Sequence, residues 1–472
     1  MHSAPTGPMR SAHWRPGSST RITATTVGGV LRGAAALAPD QPALVYGDRL
    51  WCYCDLLAEA ADGARALLTT FDRGDVVAVW AENCPQWVAL EFAAGLAGLI
   101  LVPLHPATSA DEVAYVLAHS GARGIFIGTN QADSRGVGTV RSGIYRLPRL
   151  QFVLPLRDWD AVRVVGSLSL TESLTTLPDV DPDSPAQILY TSGTTGRPKG
   201  AILTHRALTN NARLAATAFG VRRGDAVVNP LSLPRVAGSG LMALGLAQLG
   251  GTHVLMPRLD PAAQLSLVER HQSALLCATP RTLARMLSDT SLRARDLGSV
   301  RAVVSGGTRV CADLARDAEA LLGVPVLTAL TQTESGGVLA VTTPSDTPAD
   351  RLGGVGRPLP GTELKIVEHR SGATEPCGTV GEIWVRGYQV MLGYLDNPHS
   401  TAAAIDGDGW LHTGDLASMD TRGYIRMAGR LRKPIHSAPD PLDLAGPLVE
   451  LLELRVPKQT PRSKALEDIE FN

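Results

Sequence analysis

The sequence predicts an α/β protein, in which a large N-terminal domain of two parallel-type sheets covered by helices precedes a small distorted β-barrel subdomain. Two observations carry this prediction. Short apolar strand patterns alternate with helical patterns over residues 27–127 and again over 186–330, which favours parallel sheets flanked by helices. After Arg351, glycine-rich turns separate strand patterns with no long helix between them, which favours a β-rich unit.

The predicted first subdomain comprises residues 25–180, and its clearest strands are 76–80 and 124–127. The most apolar run, 92–104, is interrupted by glycines and is too short to span a bilayer. It therefore predicts a buried helix that continues into a strand. Residues 128–183 are irregular in pattern and are expected to contain the connection to the next subdomain.

The predicted second subdomain, residues 181–355, has the most regular alternation of the two patterns. Its helices are predicted at 205–219, 261–270 and 311–322. Its strands are predicted at 188–191, 226–230, 253–256, 274–278, 300–304 and 326–330. This spacing is typical of strands that are connected by helices and run parallel.

The two ends and the β-rich region differ from this alternation. The β-rich subdomain, residues 356–430, has strands predicted at 363–367, 382–385 and 424–427. The tail, 431–472, is rich in proline and charge and offers one short helical candidate at 448–454. Residues 1–24 are polar and rich in Pro, Gly and Ser, which predicts a disordered extension and not a signal peptide.

Composition limits the classes of function. The 472 residues include 44 basic and 45 acidic side chains, so the net charge of -1 offers no polybasic surface for nucleic acid or anionic lipid. No run is long enough for a transmembrane helix, which predicts a soluble, cytoplasmic protein. The six scattered cysteines form no C-x-x-C motif and favour reduced thiols over a disulfide framework. Function is therefore expected from a local site.

The segment 190–200, YTSGTTGRPKG, follows a predicted strand and precedes a helix. Its glycines let backbone amides approach phosphate oxygens, Ser192, Thr194 and Thr195 supply hydroxyl donors, and Lys199 adds a positive charge. It is not a Walker A loop, because Pro198 stands where that motif has the glycine before its lysine. By composition alone, phosphate binding and a flexible surface turn are equally supported.

This segment resembles the signature of the adenylate-forming superfamily, which includes acyl-CoA and aryl-CoA ligases, peptide-synthetase adenylation domains and luciferases. The resemblance extends over about residues 27–430. It implies that the loop binds the phosphates of ATP through seven residues: Thr191, Ser192, Gly193, Thr194, Thr195, Gly196 and Lys199.

Further segments match the family's motifs in the same order. Residues 305–308, SGGT, match a turn that packs against adenine, which implies adenine contacts for Gly306, Gly307 and Thr308. Residues 333–334 match its Thr-Glu pair, in which the threonine contacts phosphate and the glutamate helps to hold magnesium. The implied magnesium ligands are thus Thr195 and Glu334.

The C-terminal motifs of the family are also present. Residues 381–387 and 390–394 match its GEIWVRG and MLGY stretches, and DGWLHTGD at 408–415 ends in Asp415, which is implied to bind the ribose hydroxyls. Gly429 and Arg430 match the start of its hinge motif, whose arginine reaches the ribose and phosphate. The implied catalytic residues are Lys199, Thr333, Glu334 and Arg430.

These assignments agree with elementary chemistry. A carboxylate can accept two hydrogen bonds from vicinal ribose hydroxyls, as implied for Asp415. A second carboxylate, together with phosphate oxygens, suits magnesium, as implied for Glu334. Taken singly, Asp415 is typical of a turn before a strand and Glu334 of a solvated helix start. Their combination and order favour a nucleotide site.

The sequence departs from the family at the adenine site. Leu330 and Thr331 stand where the family usually has an aromatic residue and a glycine. An aliphatic face can still cover a purine, at a loss of ~1 kcal/mol of stacking. Ordinary core packing of Leu330 is equally supported.

A second departure concerns the acid. Arg235 stands where the family has a histidine, and it is expected either to bind an acidic group of the substrate or to face solvent on a loop. The aspartate with which peptide-synthetase domains bind an amino group is missing, which argues against an amino-acid substrate. Four glycines are expected to leave room for an acyl chain or ring: Gly238, Gly240, Gly336 and Gly337.

The third departure is at the C-terminus. The family continues past its hinge into an α+β domain of about 100 residues, whose lysine contacts the carboxylate and the α-phosphate. Here Lys433 and Pro434 occupy the hinge, and about 40 residues follow. The C-terminal domain is therefore expected to be absent, since residues 457–464 also lack the glycine of the lysine motif.

The resemblance as a whole implies ATP- and magnesium-dependent activation of a fatty or aryl acid to an acyl-adenylate. The acyl group would then pass to CoA or to the phosphopantetheine thiol of an acyl carrier protein. Two alternatives stay open because of the expected missing domain. One is a catalytically weak protein that binds nucleotide or acyl ligand, and the other is an adenylation subunit that needs a C-terminal domain in trans.

Overall fold

The structure is a computed structural model that describes residues 10–17, 20–128, 147, 149–168, 176–191 and 197–431. Met1–Thr191 and Lys199–Leu431 belong to one compact unit. Of the other unit, Ser192–Pro198 with Arg432–Asn472, the described residues are Arg197 and Pro198. The helix predicted at 448–454 lies outside the described residues.

The first part of the chain alternates strands and helices. Thr26 and Ser109 begin two of the helices, because each side-chain oxygen accepts an N–H of the first helical turn. The strands predicted at 76–80 and 124–127 and the helix-to-strand passage at 92–104 are confirmed. The elements are β1 (His13–Trp14), α1 (Val27–Leu37), β2 (Pro42–Tyr46), β3 (Arg49–Cys52), α2 (Tyr53–Leu68), β4 (Val76–Trp80), α3 (Pro85–Ala97), β5 (Ile100–Leu104), α4 (Ala110–Ser120), β6 (Gly124–Ile127), β7 (Phe152–Pro155) and α5 (Trp159–Leu168).

The second part follows the predicted alternation within a few residues at each boundary. The sequence patterns did not predict β9, the π-helix, α7, α9, β15 or α11. The elements are β8 (Pro185–Thr191), β9 (Lys199–Thr204), α6 (His205–Ala218), β10 (Ala226–Asn229), the π-helix (Ala237–Leu244), α7 (Gly245–Leu249), β11 (Thr252–Leu255), α8 (Pro261–Arg270), β12 (Leu275–Ala278), α9 (Pro280–Leu287), β13 (Ala302–Gly306), α10 (Ala312–Leu322), β14 (Val326–Gln332), β15 (Gly337–Val341) and α11 (Pro348–Gly353).

The last described part is dominated by strands, as predicted. Its single helix has seven residues and begins at the Asn397 side chain, which accepts the N–H of Ser400. The elements are β16 (Arg357–Pro358), β17 (Thr362–Val367), β18 (Gly381–Gly387), β19 (Gly393–Tyr394), α12 (Pro398–Ala404), β20 (Leu411–Met419) and β21 (Ile425–Arg430).

Three sheets with parallel strands form within the described residues, where two had been predicted. The largest has the order β19-β9-β8-β5-β4-β6-β7 and is parallel from β8 to β7. The other two have the orders β10-β11-β2-β3 and β12-β13-β14-β15-β16, and each ends in antiparallel strands. The α/β class is thereby confirmed. Strands on either side of the predicted boundaries at 180/181 and 355/356 pair with each other, so the division into subdomains stays a prediction.

The predicted β-rich subdomain is a five-stranded antiparallel sheet of order β1-β17-β18-β20-β21. Its first strand comes from the N-terminus, because His13 pairs with Lys365 and Trp14 with Leu364. The expectation that residues 1–24 are disordered is therefore wrong for 12–14, where Ala12 and Trp14 are buried. The polar composition concealed two apolar residues that complete the core of this sheet.

Trp14 closes this core at the β20–β21 turn. A Cβ built on Gly423 would lie 2.4 Å from the indole ring, so only glycine fits beneath it. We expect Trp14→Ala to lower the free energy of unfolding by about 3–5 kcal/mol, because a fully packed aromatic side chain leaves a cavity. Urea denaturation measures the change. Arg15→Ala, at an exposed neighbouring position, is the control and should change the free energy by less than about 0.5 kcal/mol.

Helix α3 lies at the centre of the largest hydrophobic core, and twelve of its thirteen residues are buried. This central position explains why the helix is apolar on all sides. The end of the helix forms the first part of 92–104, the most apolar run in the sequence. In the part of the chain that the structure describes, no helix is long and apolar enough to cross a membrane.

Candidate active site

The strand pair β8–β9 brackets the predicted phosphate loop. Thr191 and Lys199 are directly opposite each other at the end of this pair. Strand β19 adds to the free side of β9, which brings Tyr394 beside Lys199, and the Lys199 Nζ lies 4.3 Å from the centre of the Tyr394 ring. The loop residues between the strands, Ser192, Gly193, Thr194, Thr195 and Gly196, lie outside the described residues, and their phosphate contacts stay predictions.

Glu334 lies in a short 3-10 turn, Thr333–Ser335, that follows β14. The Tyr394 hydroxyl donates to Glu334 Oε1 over 2.8 Å, and the Thr191 hydroxyl donates to the same oxygen over 3.5 Å. Burial, reinforced by the Glu334 charge, raises the pKa of Tyr394, so this hydroxyl remains a donor at neutral pH. Within the described residues, Glu334 Oε2 has no hydrogen-bond partner.

Asp415 and Arg430 face each other across the β20–β21 pair. The Arg430 Nε lies 2.7 Å from Asp415 Oδ1, and the arginine side chain is 69% exposed while the aspartate is largely buried. Burial raises the pKa of Asp415, and the Arg430 charge opposes this rise. The Glu334 carboxylate also acts on Asp415, which places the two acidic groups in one electrostatic environment.

The predicted adenine-contact residues lie at the ends of β13 and β14, which are neighbours in one sheet. Gly307 takes a left-handed conformation, φ 82°, and both Thr308 and Thr331 are exposed. Gly306 pairs with Ala329, next to Leu330. Leu330 is half-buried and packs against the core of the antiparallel sheet, which agrees with the core-packing alternative.

Arg235 is exposed in the loop before the π-helix. Burial lowers the pKa of His105, which follows β5, and the Arg235 charge lowers it further. The guanidinium of Arg235 makes no hydrogen bond or ion pair with the described residues. Its charge acts on His105, which follows the carboxyl end of the parallel strand β5, a common location of ligand sites in α/β proteins.

Three of the four glycines that were expected to leave room for an acyl group are in tight contact with protein atoms, and their part in acid binding stays a prediction. A Cβ on Gly238 would lie 2.1 Å from the Ser232 carbonyl oxygen, and one on Gly336 would lie 3.0 Å from the Gln389 carbonyl oxygen. One on Gly337 would lie 2.8 Å from Asn211 Oδ1. These glycines permit close approach of chain segments. The nearest atom to a Cβ on Gly240 is 3.4 Å away.

This difference predicts losses of stability of different size for two alanine substitutions in the π-helix. Gly238→Ala is expected to destabilise the protein by at least about 2 kcal/mol, because backbone and not a movable side chain blocks the added methyl group. Gly240→Ala is the matched control and should cost less than about 1 kcal/mol. Thermal unfolding followed by circular dichroism measures both. Equal melting temperatures for the two variants would contradict the assigned packing.

Buried polar side chains that the sequence patterns did not reveal hold the π-helix and its preceding loop. The amide of Asn83 donates to the carbonyl oxygens of Leu231 and Met256, each over 2.9 Å. The amide of Asn229 donates to the Gly238 carbonyl over 3.2 Å, and Glu91 hydrogen-bonds with Ser239. The partners of Asn83 and Glu91 come from distant segments, so no spacing in the sequence could have identified those contacts.

Comparison with known proteins agrees with this geometry. The family model described as "AMP-binding enzyme" matches residues 31–395, which is more than half of the chain. The chain therefore belongs to the AMP-binding enzyme family.

Two similar proteins are named as CoA ligases. The chain is 33% identical over 411 residues to a methyl-dioxo-octahydro-indenyl-propanoyl:CoA ligase of Mycobacterium tuberculosis, covering 84% of this chain and 77% of that one. It is 30% identical over 443 residues to a mitochondrial medium-chain acyl-CoA ligase of Bos taurus, covering 87% and 72%. The inhibitor-bound N-terminal domain of FACL13 from M. tuberculosis superposes with a TM-score of 0.76 at 25% identity, covering 86% of this chain and all of that one.

Proposed function

We propose that this protein binds ATP and magnesium and activates a carboxylic acid as an acyl-adenylate, with release of pyrophosphate. One observation carries the proposal. Four groups of the family's nucleotide motifs are linked through contacts. Tyr394, which lies beside Lys199, and Thr191 donate hydrogen bonds to Glu334, and the Glu334 charge acts on Asp415, which pairs with Arg430. Two carboxylates and two cations in one place suit a magnesium nucleotide.

Each described residue has a role in this proposal. Lys199 and Thr191 would hold phosphate oxygens at the edge of the loop, together with the residues from Ser192 to Gly196. Asp415 would accept hydrogen bonds from the ribose hydroxyls, and the exposed Arg430 would reach the ribose and α-phosphate.

The side chains present are compatible with the implied magnesium ion. Glu334 Oε1 accepts the Tyr394 hydroxyl, which orients the carboxylate, and Oε2 has no hydrogen-bond partner among the described residues; a carboxylate oxygen is the donor that magnesium prefers. Thr195 is the second proposed ligand. When bound, the ion neutralises charge on the triphosphate.

The reaction makes modest chemical demands on the protein. The substrate carboxylate attacks the α-phosphorus in line with the departing pyrophosphate, and no side chain has to transfer a proton. The protein contributes by positioning the two reactants and by placing positive charge, from Lys199 and Arg430, where negative charge accumulates.

The proposed substrate is a fatty or aryl acid, and the acceptor is CoA or a phosphopantetheine thiol. The ligase relatives named for medium-chain and ring-bearing acyl groups support this class. Arg235 is the proposed contact for an acidic group, because its guanidinium is exposed and lies close enough to His105 to lower that residue's pKa. Gly240 is the proposed acyl contact, because a Cβ there would make only an ordinary contact, 3.4 Å from Val236 Cγ1.

Pyrophosphate exchange tests the proposal. The protein is incubated with ATP, magnesium, labelled pyrophosphate and single acids from a panel of fatty, aryl and amino acids. Exchange with at least one fatty or aryl acid and none with amino acids is expected. ATP binding measured by calorimetry with no exchange for any acid would contradict adenylation and favour the alternative of a nucleotide-binding protein.

The thiol transfer step is tested separately. Thioester formation is measured with CoA and with a phosphopantetheinylated carrier protein, with and without the C-terminal domain of a relative added as a separate chain. Thioester formed by the protein alone supports complete ligase activity. If the protein alone catalyses pyrophosphate exchange but forms a thioester only when that domain is added, it is an adenylation subunit that needs the domain in trans.

A further inference from the structure

Two thiols lie side by side at the start of helix α2, and neither belongs to the motifs of the proposed adenylation reaction. Cys52 is the N-cap of this helix and Cys54 is its second residue. The two sulfur atoms are 2.6 Å apart, and the Cys52 sulfur is 2.9 Å from Asp55 Oδ2. Asp55 also accepts the backbone N–H of Cys52, which completes a reciprocal capping arrangement.

The backbone fixes this arrangement. The N–H groups of Tyr53 and Cys54 donate to the carbonyl oxygens of Gln41 and Pro39, each over 3.0 Å. The Tyr53 side chain points into the core, where its hydroxyl donates to the Gly251 carbonyl over 2.6 Å. The cysteines on either side of Tyr53 are accordingly directed to the surface, and Cys54 is exposed while Cys52 is partly covered.

The two sulfur atoms differ chemically. Burial, followed by the contacts with Asp55 and Cys54, raises the pKa of Cys52 to about 11, so Cys52 is a thiol at neutral pH. Cys54 is the sulfur that solvent and small molecules reach first. Cys54 is thus suited to attack an external disulfide, and Cys52 is suited to attack the resulting mixed disulfide. Oxidation of a dithiol in two steps uses this arrangement.

We propose that Cys52 and Cys54 form a redox pair, which a low-molecular-weight disulfide oxidises to an intramolecular disulfide. The Cys54 thiolate attacks one sulfur of the small disulfide, and a mixed disulfide forms while one small thiolate leaves. The Cys52 sulfur then attacks the Cys54 sulfur, its proton passes to the second departing thiolate, and the ring closes. Two protein thiols and one small disulfide thus give one protein disulfide and two small thiols.

The other cysteines show why this pair is distinctive. Cys277 and Cys84 are enclosed, and burial raises the pKa of each to about 12. Cys311 is exposed and is the N-cap of another helix, where its sulfur accepts the N–H of Leu314. Cys311 therefore offers a matched single thiol in the same local setting, without a second sulfur to close a ring.

Oxidised glutathione and peptide mapping test the pair. The reduced full-length protein is incubated with oxidised glutathione, alkylated and digested with trypsin. The mass of the tryptic peptide 50–65, which contains both cysteines, is then measured by mass spectrometry. We expect this peptide to lose the mass of two hydrogen atoms, while the Cys311 peptide gains one glutathione. Two free thiols, or two separate glutathione adducts, in peptide 50–65 while Cys311 is modified would overturn the proposal.

Variants separate the two steps. Cys52→Ser should stop at a stable glutathione adduct on Cys54, and Cys54→Ser should leave Cys52 largely unmodified at neutral pH. Asp55→Asn keeps the capping acceptor but removes the negative charge beside Cys52, and ring closure should become about threefold to tenfold faster. Rapid modification of Cys52 in the Cys54→Ser variant, or an unchanged rate in Asp55→Asn, would refute the assigned order of attack.

Discussion

Replacing Glu334 by glutamine is expected to lower acid-dependent pyrophosphate exchange by about 10²–10³-fold, the usual loss when a group that stabilises transition-state charge is removed. Glutamine has the same shape and can still accept the Tyr394 hydroxyl, so the turn at Thr333–Ser335 should be unchanged. The substitution removes the negative charge of the Glu334 carboxylate and therefore weakens the proposed coordination of magnesium by Oε2. Exchange rates at saturating ATP and several magnesium concentrations measure the effect.

Two further variants make this result specific. Glu368→Gln is the control, because Glu368 lies in an exposed turn where it accepts the N–H of Ser371, which glutamine can also do. Its exchange rate should equal that of the unaltered protein. Tyr394→Phe removes the hydrogen bond that orients Glu334 but leaves its charge, and a loss of about tenfold is expected. Full exchange activity in Glu334→Gln would remove this residue from the proposed site.

Replacing Glu91 by glutamine is expected to stabilise the protein at alkaline pH. Glu91 is buried, and burial raises its pKa from an ordinary 4.5 to about 8, against the lowering effect of hydrogen bonds with Gln187 and Ser239. Glu91 Oε2 and Gln187 Oε1 have no partner within the described residues, so a proton on Glu91 would supply the missing donor. Glutamine mimics this neutral form with an amide donor.

The direction of the pH dependence follows from proton binding. The folded protein keeps a proton on Glu91 that the unfolded chain releases between about pH 4.5 and pH 8. The free energy of unfolding should therefore fall as the pH rises through this window. At about pH 9 the unfavourable contribution is up to about 5 kcal/mol, since each pKa unit corresponds to about 1.4 kcal/mol. Glu91→Gln should remove most of this fall, as measured by urea denaturation at about pH 6 and pH 9.

Glu59 provides the matched control, because it is also a buried carboxylate but has both oxygens occupied. They accept the indole N–H groups of Trp51 and Trp159, over 3.0 and 3.1 Å. An amide can accept only one of these, and Glu59→Gln should leave the other N–H unpaired and destabilise the protein at about pH 9. If Glu91→Gln also destabilised the protein at that pH, the assignment of a neutral Glu91 would be wrong.

The fold was predictable to the extent that it depends on local periodicity. Strand β4 and helix α8 were predicted to the residue, because apolar side chains recur there at the spacing of each element. Helix α5 and the strand β1 were not, since the first lies in an irregular stretch and the second has two residues. Such elements are stabilised by their neighbours and not by their own propensity.

The site was predictable where a motif fixes both residue type and order. Lys199, Glu334, Asp415 and Arg430 were identified in this way, although their roles remain predictions. The structural role of the glycines was not predictable, because the absence of a side chain can either leave room for a ligand or allow another chain segment to pack closely. Only the 2.1 Å approach to the Ser232 carbonyl decided this for Gly238.

The α/β class and the identity and order of the nucleotide motifs could be read from the sequence alone, because periodicity and motif order are properties of local chain segments. Tertiary structure decided which side chains share an environment. The contact of Tyr394 with Glu334, the pairing of Asp415 with Arg430 and the burial of Glu91 beside Gln187 join segments at least fifteen residues apart. Strand pairing and core packing create these contacts, and they depend on the whole fold.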